Sequence, residues 1–285
     1  MLLTFQGKLI RLYKMANNWS FFTGWQNVLP PSRPATWQID IIKKIVQNSY
    51  CENIAILGST IEFRDLLAEC SIKNIYIFDS NVDFYRYISK FRKYSNKENL
   101  VLGNWLDTLG DFESYFDIVL SDLTSGNIPY ESREKFYHLI SKSLSQNGFF
   151  IDRILTFSEQ LIPLDTLIEK YKKLPINQTT VNNFNCEVLF CSTLLENDKN
   201  IVDTNNFYDS LCKLNIPQIT NFVHSCYSIT PRNCIWYYRI NWEDERKIYE
   251  KKLSIIKSYD EPDQSPYYNR AKLFISKKRD GKTNV

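Results

Sequence analysis

The chain has 285 residues, 44% of them apolar, enough for one large domain or a domain carrying a sizeable insertion, which excludes disorder throughout. Lys plus Arg number 35 against 32 Asp plus Glu, and a formal charge of +3 is too small for the basic footprint of a nucleic-acid binder, so a nucleic-acid partner is not expected. Seven scattered cysteines without a C-x-x-C pair point to reduced thiols and no metal centre, and no run approaches the ~18 apolar residues of a membrane helix.

The opening MLLTFQGKLIRLYK is broken by Gln6, Lys8 and Arg11 and makes a poor signal peptide, so the chain reads as cytoplasmic with no membrane partner. Residues 1–50 read as an N-terminal helical segment. In it, PPSRPATWQIDIIKKIV (30–46) has a proline-stiffened entry, Thr36 as N-cap and Ile39, Ile42, Ile45 and Val46 at helical spacing. NIAILG (53–58) is a β-branched apolar run ending in Gly58, and Phe63, Leu66 and Leu67 then carry a helical pattern. NIYIFD (74–79) is a second strand, followed by the helical NVDFYRYISKFRKY with a basic last turn.

NLVLGN (99–104) and FDIVLSD (116–122) are the third and fourth strands. ESREKFYHLISKSL (131–144) places Phe136, Leu139, Ile140 and Leu144 on one face, and Asn147-Gly148 turns the chain into a fifth strand, FFIDRIL. Strands alternating with helices, apolar on both faces, imply a parallel sheet covered by helices on each side, a doubly wound α/β fold. The core of it spans 51–155.

Residues 156–240 read as a mainly helical insertion, through LDTLIEKYKKL, NCEVLFCSTLLEN and NNFYDSLCKLNIPQITNF with Asn-rich joints. The aromatic run from Trp236 to Trp242 would form either a lid over a substrate or the core of a second layer, and Trp236 is a candidate substrate contact. In 241–285, Asn241 would cap a helix with Glu243, Asp244 and Glu245 in its first turn, and LSIIKSY and AKLFISKK would close the sheet edge as an antiparallel pair.

Ligands of an open parallel sheet bind outside the carboxyl ends of its strands, near the point where strand order reverses. The residues there are Gly58 to Glu62, Asp79 to Asn81, Gly103 to Asp107 and Asp122 to Ser125. Asp79 follows Gly58 by 21 positions, near the ~20-residue spacing at which an acid accepts the two hydroxyls of an adenine nucleoside's ribose. Asp79 would otherwise be a helix cap. Asn104 offers a polar group for an adenine edge, and Trp105 an aromatic wall or a core side chain.

The order of LGSTIEFRDLL, PPSRP before it, and GNWLD, SDLTSGNIP and NGFFIDR after it resembles class I S-adenosylmethionine-dependent methyltransferases of a bacterial small-molecule type, over about residues 28 to 155. The resemblance implies that Gly58, Ser59 and Thr60 pass the methionine moiety and that Asp79 holds the ribose. It further implies that Ser80 or Asn81 borders the adenine, that Asn104, Trp105 and Leu106 contact it, and that Asp122 with Leu123 faces the methionine moiety and the acceptor. The acid usual two positions before the first glycine is replaced by Ile56. Glu62 is the substitute candidate for holding the ammonium group, and Arg33 a candidate for the carboxylate.

Charge supports that choice. S-adenosylmethionine carries an ammonium and a sulfonium, which a carboxylate complements, whereas a dinucleotide's pyrophosphate wants the absent G-x-G-x-x-G turn. Glu62 would otherwise only complement its helix dipole, and Arg33 would be a surface residue. NIPY (127–130) stands five positions later than a tetrad of some amino-group methyltransferases and reads as a loop, with Tyr130 a minor substrate candidate. His138 reads as a helix-surface residue. Asp122 is the candidate general base, if one is needed. The expectation is direct methyl transfer from S-adenosylmethionine to a small-molecule acceptor. Its rivals are a nucleic-acid or protein methyltransferase on the same core, an inactive scaffold and a nicotinamide-dependent oxidoreductase. Oligomeric state is left open.

Overall fold

A computed structural model describes residues 23–155, 161–194, 201–237 and 242–279. The N-cap expected at Asn241 and Tyr238 of the aromatic run lie outside them. The chain divides into two compact units, one from the described parts of 1–32 and 160–239, the other from 33–159 and 240–285.

In the second unit, helix α1 (Thr36–Asn48) precedes strand β1 (Asn53–Leu57). Thr36 was expected to cap α1, but the cap position is Ala35, which has no side-chain acceptor. Gln38 compensates from inside the helix, its Oε1 accepting the Ala35 N–H at 2.7 Å. The chain continues through α2 (Ile61–Glu69), β2 (Asn74–Asp79), α3 (Val82–Ser89), β3 (Glu98–Leu102), the one-turn α4 (Trp105–Thr108), β4 (Phe116–Asp122), α5 (Arg133–Ser143) and β5 (Leu144–Leu155). Strand β5 starts earlier than the Asn147-Gly148 turn suggests. Leu144 lies opposite Phe116 and Phe149 opposite Ile118, so residues 145–148 bulge from the ladder. Glycine is needed at 148, because a Cβ there would stand 2.7 Å from the Phe116 carbonyl oxygen.

The first unit is mainly helical: α6 (Leu164–Tyr171), α7 (Gln178–Cys191), α8 (Thr204–Cys212) and α9 (Pro217–Cys226), with a short antiparallel pair of β6 (Val202–Asp203) and β7 (Ile235–Trp236). Helix α7 is buried all round from Val181 onward, which marks it as the centre of its bundle, apart from intermediate exposure at Asn183. The asparagines at the joints are caps: Asn177 accepts from Thr180 N at 3.0 Å to start α7. Inside, Asn182 accepts from Leu29 N at 2.8 Å and donates to Asn27 O at 2.9 Å.

Back in the sheet unit, α10 (Trp242–Tyr249) leads to β8 (Leu253–Asp260) and β9 (Ala271–Lys278). The sheet order is β3-β2-β1-β4-β5-β9-β8, with β1 to β5 parallel and β9 antiparallel to both β5 and β8. The C-terminal pair therefore closes one edge, as the sequence suggests. One sheet face is aliphatic, built from Ile54, Ile56, Ile75, Ile77, Ile118, Leu120 and Ile151 under α1 and α2. Each such side chain fully buried contributes about 1.5–3 kcal/mol. The opposite face is aromatic, with Phe78 and Phe116 edge-on at 5.8 Å and Phe150 stacked on Tyr249 at 6.2 Å. Strand order reverses between β1 and β4, so the carboxyl ends of these strands are where a ligand is expected.

Candidate functional site

Gly58 leaves β1 with φ +88°, a conformation that favours glycine, and donates its N–H to Phe78 O at 2.8 Å. A Cβ built there would meet nothing within 4 Å, so backbone conformation, not crowding, selects glycine. Ser59, next in the turn, donates its hydroxyl to Asp79 Oδ2 at 2.5 Å. Asn81 N–H donates to Asp79 Oδ1 at 2.8 Å, while the Asn81 side chain caps α3 by accepting from Phe84 N at 2.9 Å. Ser80, between them, is exposed. Thr60 is the N-cap of α2 and makes no side-chain capping bond.

Asp79 is 8% exposed, and among the described residues no ion pair reaches it. Burial pushes its carboxyl above the ordinary aspartate range, opposed first by the Ser59 hydrogen bond and then by the Asn81 amide. Each carboxylate oxygen accepts two hydrogen bonds, so both retain capacity toward a pair of hydroxyls.

The segment after β3 lies alongside. Trp105 Nε1 donates to Phe78 O at 2.9 Å, so its indole is fixed at the end of β2 and is half-buried, not a core side chain. Asn104 Oδ1 accepts from Leu106 N at 2.9 Å and caps α4, a bond that does not use the Nδ2 end of its amide; Leu106 is buried. Gly103 N–H bonds Asp79 O at 3.0 Å and knits the two loops together.

Glu62 stands in the first turn of α2 with its side chain 12% exposed, and Arg33 binds its Oε1 through both Nε and Nη2. The other oxygen, Oε2, is buried without a hydrogen-bond partner. Burial raises the Glu62 carboxyl, Arg33 lowers it, and the charge of Asp122 at the end of β4 raises it again. Glu62, in the first turn after the β1 loop, is thus already engaged by Arg33, a pairing not foreseen from the sequence.

Asp122 does not stand as a free base. Its Oδ1 accepts from Arg153 Nε at 2.6 Å, and Arg153 Nη1 also reaches Glu261 Oε1 at 3.2 Å, itself held by Gln38 Nε2 at 3.0 Å. Burial pushes Asp122 up and Arg153 pulls it down. Expected as a candidate general base, Asp122 is instead held in a buried ion pair, which lowers its availability to accept a proton. Leu123 follows with φ +56°, unusual for a branched side chain, its N–H held by Arg153 O at 2.9 Å.

Sequence reasoning missed Arg153, Glu261 and Gln38. The available signal was FIDRIL, a buried strand with two adjacent charges that demand partners; register places Arg153 beside Asp122. Tyr130 is exposed in a single turn, Tyr130–Ser132. Trp236 is a buried residue of the helical unit, packed on Phe190 at 5.4 Å between centroids, which is the core-of-a-layer alternative for this part of the aromatic run. His138 and His224 are both exposed. Among the described residues no group of three His, Cys, Asp or Glu side chains is placed to hold a metal, and no helix is long and apolar enough to cross a membrane.

No family model and no curated protein matches the sequence. Solved structures do match in fold. A protein from Rhodobacter sphaeroides assigned as a zinc-dependent alcohol dehydrogenase aligns with a TM-score of 0.56 and 14% identity, covering 94% of this chain and 97% of its own. The N-methyltransferase NodS from Bradyrhizobium japonicum, in complex with S-adenosylhomocysteine, aligns with a TM-score of 0.50 and 9% identity over 93% of this chain and 95% of its own. An S-adenosylmethionine-dependent methyltransferase from Methanosarcina mazei aligns with a TM-score of 0.50 and 10% identity over 82% and 96%. At these identities the likeness establishes the Rossmann-like fold, the one these methyltransferases share.

Proposed function

We propose that the sheet unit binds S-adenosylmethionine at the carboxyl ends of β1 to β4 and transfers its methyl group to a small-molecule acceptor. The observation that carries this reading is the buried, unpartnered Oε2 of Glu62 at the strand ends. A buried acceptor without a donor favours a cationic hydrogen-bond donor arriving there. The residues fit the cofactor piece by piece. Asp79, with spare acceptor capacity on both oxygens, suits two ribose hydroxyls. Asn104 and Trp105 suit the base, and Glu62 with Arg33 offers one charge of each sign to the amino-acid end.

When bound, S-adenosylmethionine supplies an electrophilic methyl on a sulfonium. The chain's own residues hold and align: Ser59 and the Asn81 amide fix the Asp79 carboxylate, and Arg153 fixes Asp122. Alignment of an acceptor that is already nucleophilic accounts for much of the barrier without a base. The formal charge of +3 supports a small organic acceptor over a nucleic acid. The fold likenesses to two methyltransferases agree with this reading, and the single glycine of the β1 turn, with Glu62 beside it, weighs against a dinucleotide-dependent dehydrogenase.

Thermal unfolding with S-adenosylhomocysteine and, separately, with NAD+ tests it. A ligand that binds only the native state raises the midpoint. The expected result is an upward shift with S-adenosylhomocysteine and none with NAD+; the reverse would overturn the proposal.

A further inference from the structure

A second cluster of guanidinium groups lies on the sheet unit away from the strand ends just described. Arg64 of α2 is fully buried, and its Nε and Nη2 bind Glu98 Oε1 and Oε2 at 3.0 and 2.7 Å. Arg64 Nη2 also donates to Ser89 Oγ at 2.7 Å, and the guanidinium sits 4.5 Å from the Tyr85 ring centroid. Arg92 Nη1 reaches Glu98 Oε1 at 2.9 Å, and Tyr85 OH donates to Glu98 Oε2 at 3.0 Å. Glu98 thus receives four donors, which fills the acceptor capacity of a carboxylate.

Three guanidinium nitrogens are left over. Arg64 Nη1, Arg92 Nε and Arg92 Nη2 are buried and without a hydrogen-bond partner. The nearest other carboxylate, Asp65, stands 3.8 Å from Arg92 Nε, beyond hydrogen-bond range, and accepts from the backbone amides of Lys93 and Tyr94. A cavity of about 500 Å³ opens at this point, lined by Arg64, Arg92, Arg86 and Lys93 among others, with Glu98 its one acidic wall. Arg86 contributes an exposed charge at the rim, its pairing with Asp83 being 3.8 Å long and both side chains largely exposed.

We propose that this cavity is an anion site for a phosphate monoester, separate from the cofactor site. The lining sets four cationic side chains, Arg64, Arg86, Arg92 and Lys93, against one carboxylate, Glu98, an excess of positive charge that suits the oxygens of a phosphoryl group, and each bond formed is charge-assisted at both ends. Two rim cations match the second negative charge that a monoester carries near neutral pH. The cavity exceeds the volume of the anion itself, which leaves room for the esterified organic group beside Tyr85 and Tyr94.

The test is calorimetric titration of the full chain with inorganic phosphate and with phenyl phosphate at fixed ionic strength. The expected result is saturable binding at or below about millimolar Kd, with phenyl phosphate the tighter ligand. Arg92→Met should weaken it about tenfold or more, and the exposed substitution Arg86→Gln by a few-fold, about the difference between a buried and a screened charge. Should Arg92→Met fail to fold, Arg86→Gln and Lys93→Gln, both at the rim, carry the same comparison. Absence of saturable binding to the wild type, or affinity unchanged in every variant that folds, would overturn the proposal.

Discussion

The two halves of the candidate cofactor site hold their carboxylates in opposite ways. At the ends of β1 and β2, Asp79 is fixed by a hydroxyl and a backbone amide, and its charge is left uncompensated by any ion pair among the described residues. At the ends of β4 and β5, Asp122 and Glu261 share Arg153, and Glu62 at the start of α2 is held by Arg33. Neutral donors orient an acceptor and leave its remaining lone pairs for neutral hydroxyls. The Asp122–Arg153–Glu261 ion pairs make a rigid wall whose substitution costs folding before it costs binding.

The largest expected effect comes from breaking the wall. Asp122→Ala leaves Arg153 with one partner in a buried setting and should destabilise the fold by about 3 kcal/mol, read by denaturant unfolding. Asp79→Ala should do the opposite in kind. Its stability change stays within about 1 kcal/mol, because a buried acid held only by neutral donors contributes little, while affinity for S-adenosylhomocysteine falls by about 2 kcal/mol or roughly 30-fold. If both variants instead lose stability alike, the distinction between the two halves is lost.

Acidification sharpens the same contrast. Asp79 and Glu62 both titrate above their ordinary values in the folded chain, because burial outweighs their partners. Affinity for S-adenosylhomocysteine should therefore fall as pH drops through these raised values, at a higher pH than ordinary carboxylates would give. Glu62→Gln keeps shape and removes charge, and should weaken binding about tenfold while flattening part of that pH dependence.

A smaller effect is expected behind the site. Asp152 is fully buried on the aromatic face, next to Ser121 in register, and neither side chain finds a hydrogen-bond partner. Burial raises its carboxyl well above the aspartate range, opposed by the nearby Ser121 hydroxyl and helped by the charges of Asp122 and Glu245. A carboxyl whose folded value is raised binds its proton more tightly in the native state, so its contribution to stability falls as pH rises from the ordinary aspartate range through that raised value. Asp152→Asn should remove this slope and be neutral or stabilising by about 1 kcal/mol at neutral pH, measured by unfolding across pH.

The sequence makes the strands legible because each buried parallel strand is a short β-branched run, and it makes Asp79 legible because one βαβ unit fixes its spacing from Gly58. What it hides depends on non-local register. Arg153 meets Asp122 only once β4 and β5 are aligned, and Glu261 joins from a segment more than a hundred residues on. Arg33 meets Glu62 only because the proline-rich approach to α1 returns to the β1 turn, a path no local pattern encodes. The N-cap of α1 illustrates the same limit at short range: Thr36 has the preferred chemistry, yet Gln38 satisfies the first amide and the helix starts one residue earlier than that cap allows.

The most direct measurement is calorimetric titration of S-adenosylhomocysteine into the wild type and Asp79→Ala, with unfolding curves for both. The account predicts micromolar binding to the wild type, roughly 30-fold weaker binding to a variant that remains folded, and no comparable loss of stability. No heat of binding with the wild type, or equal affinity in the two proteins, would contradict it.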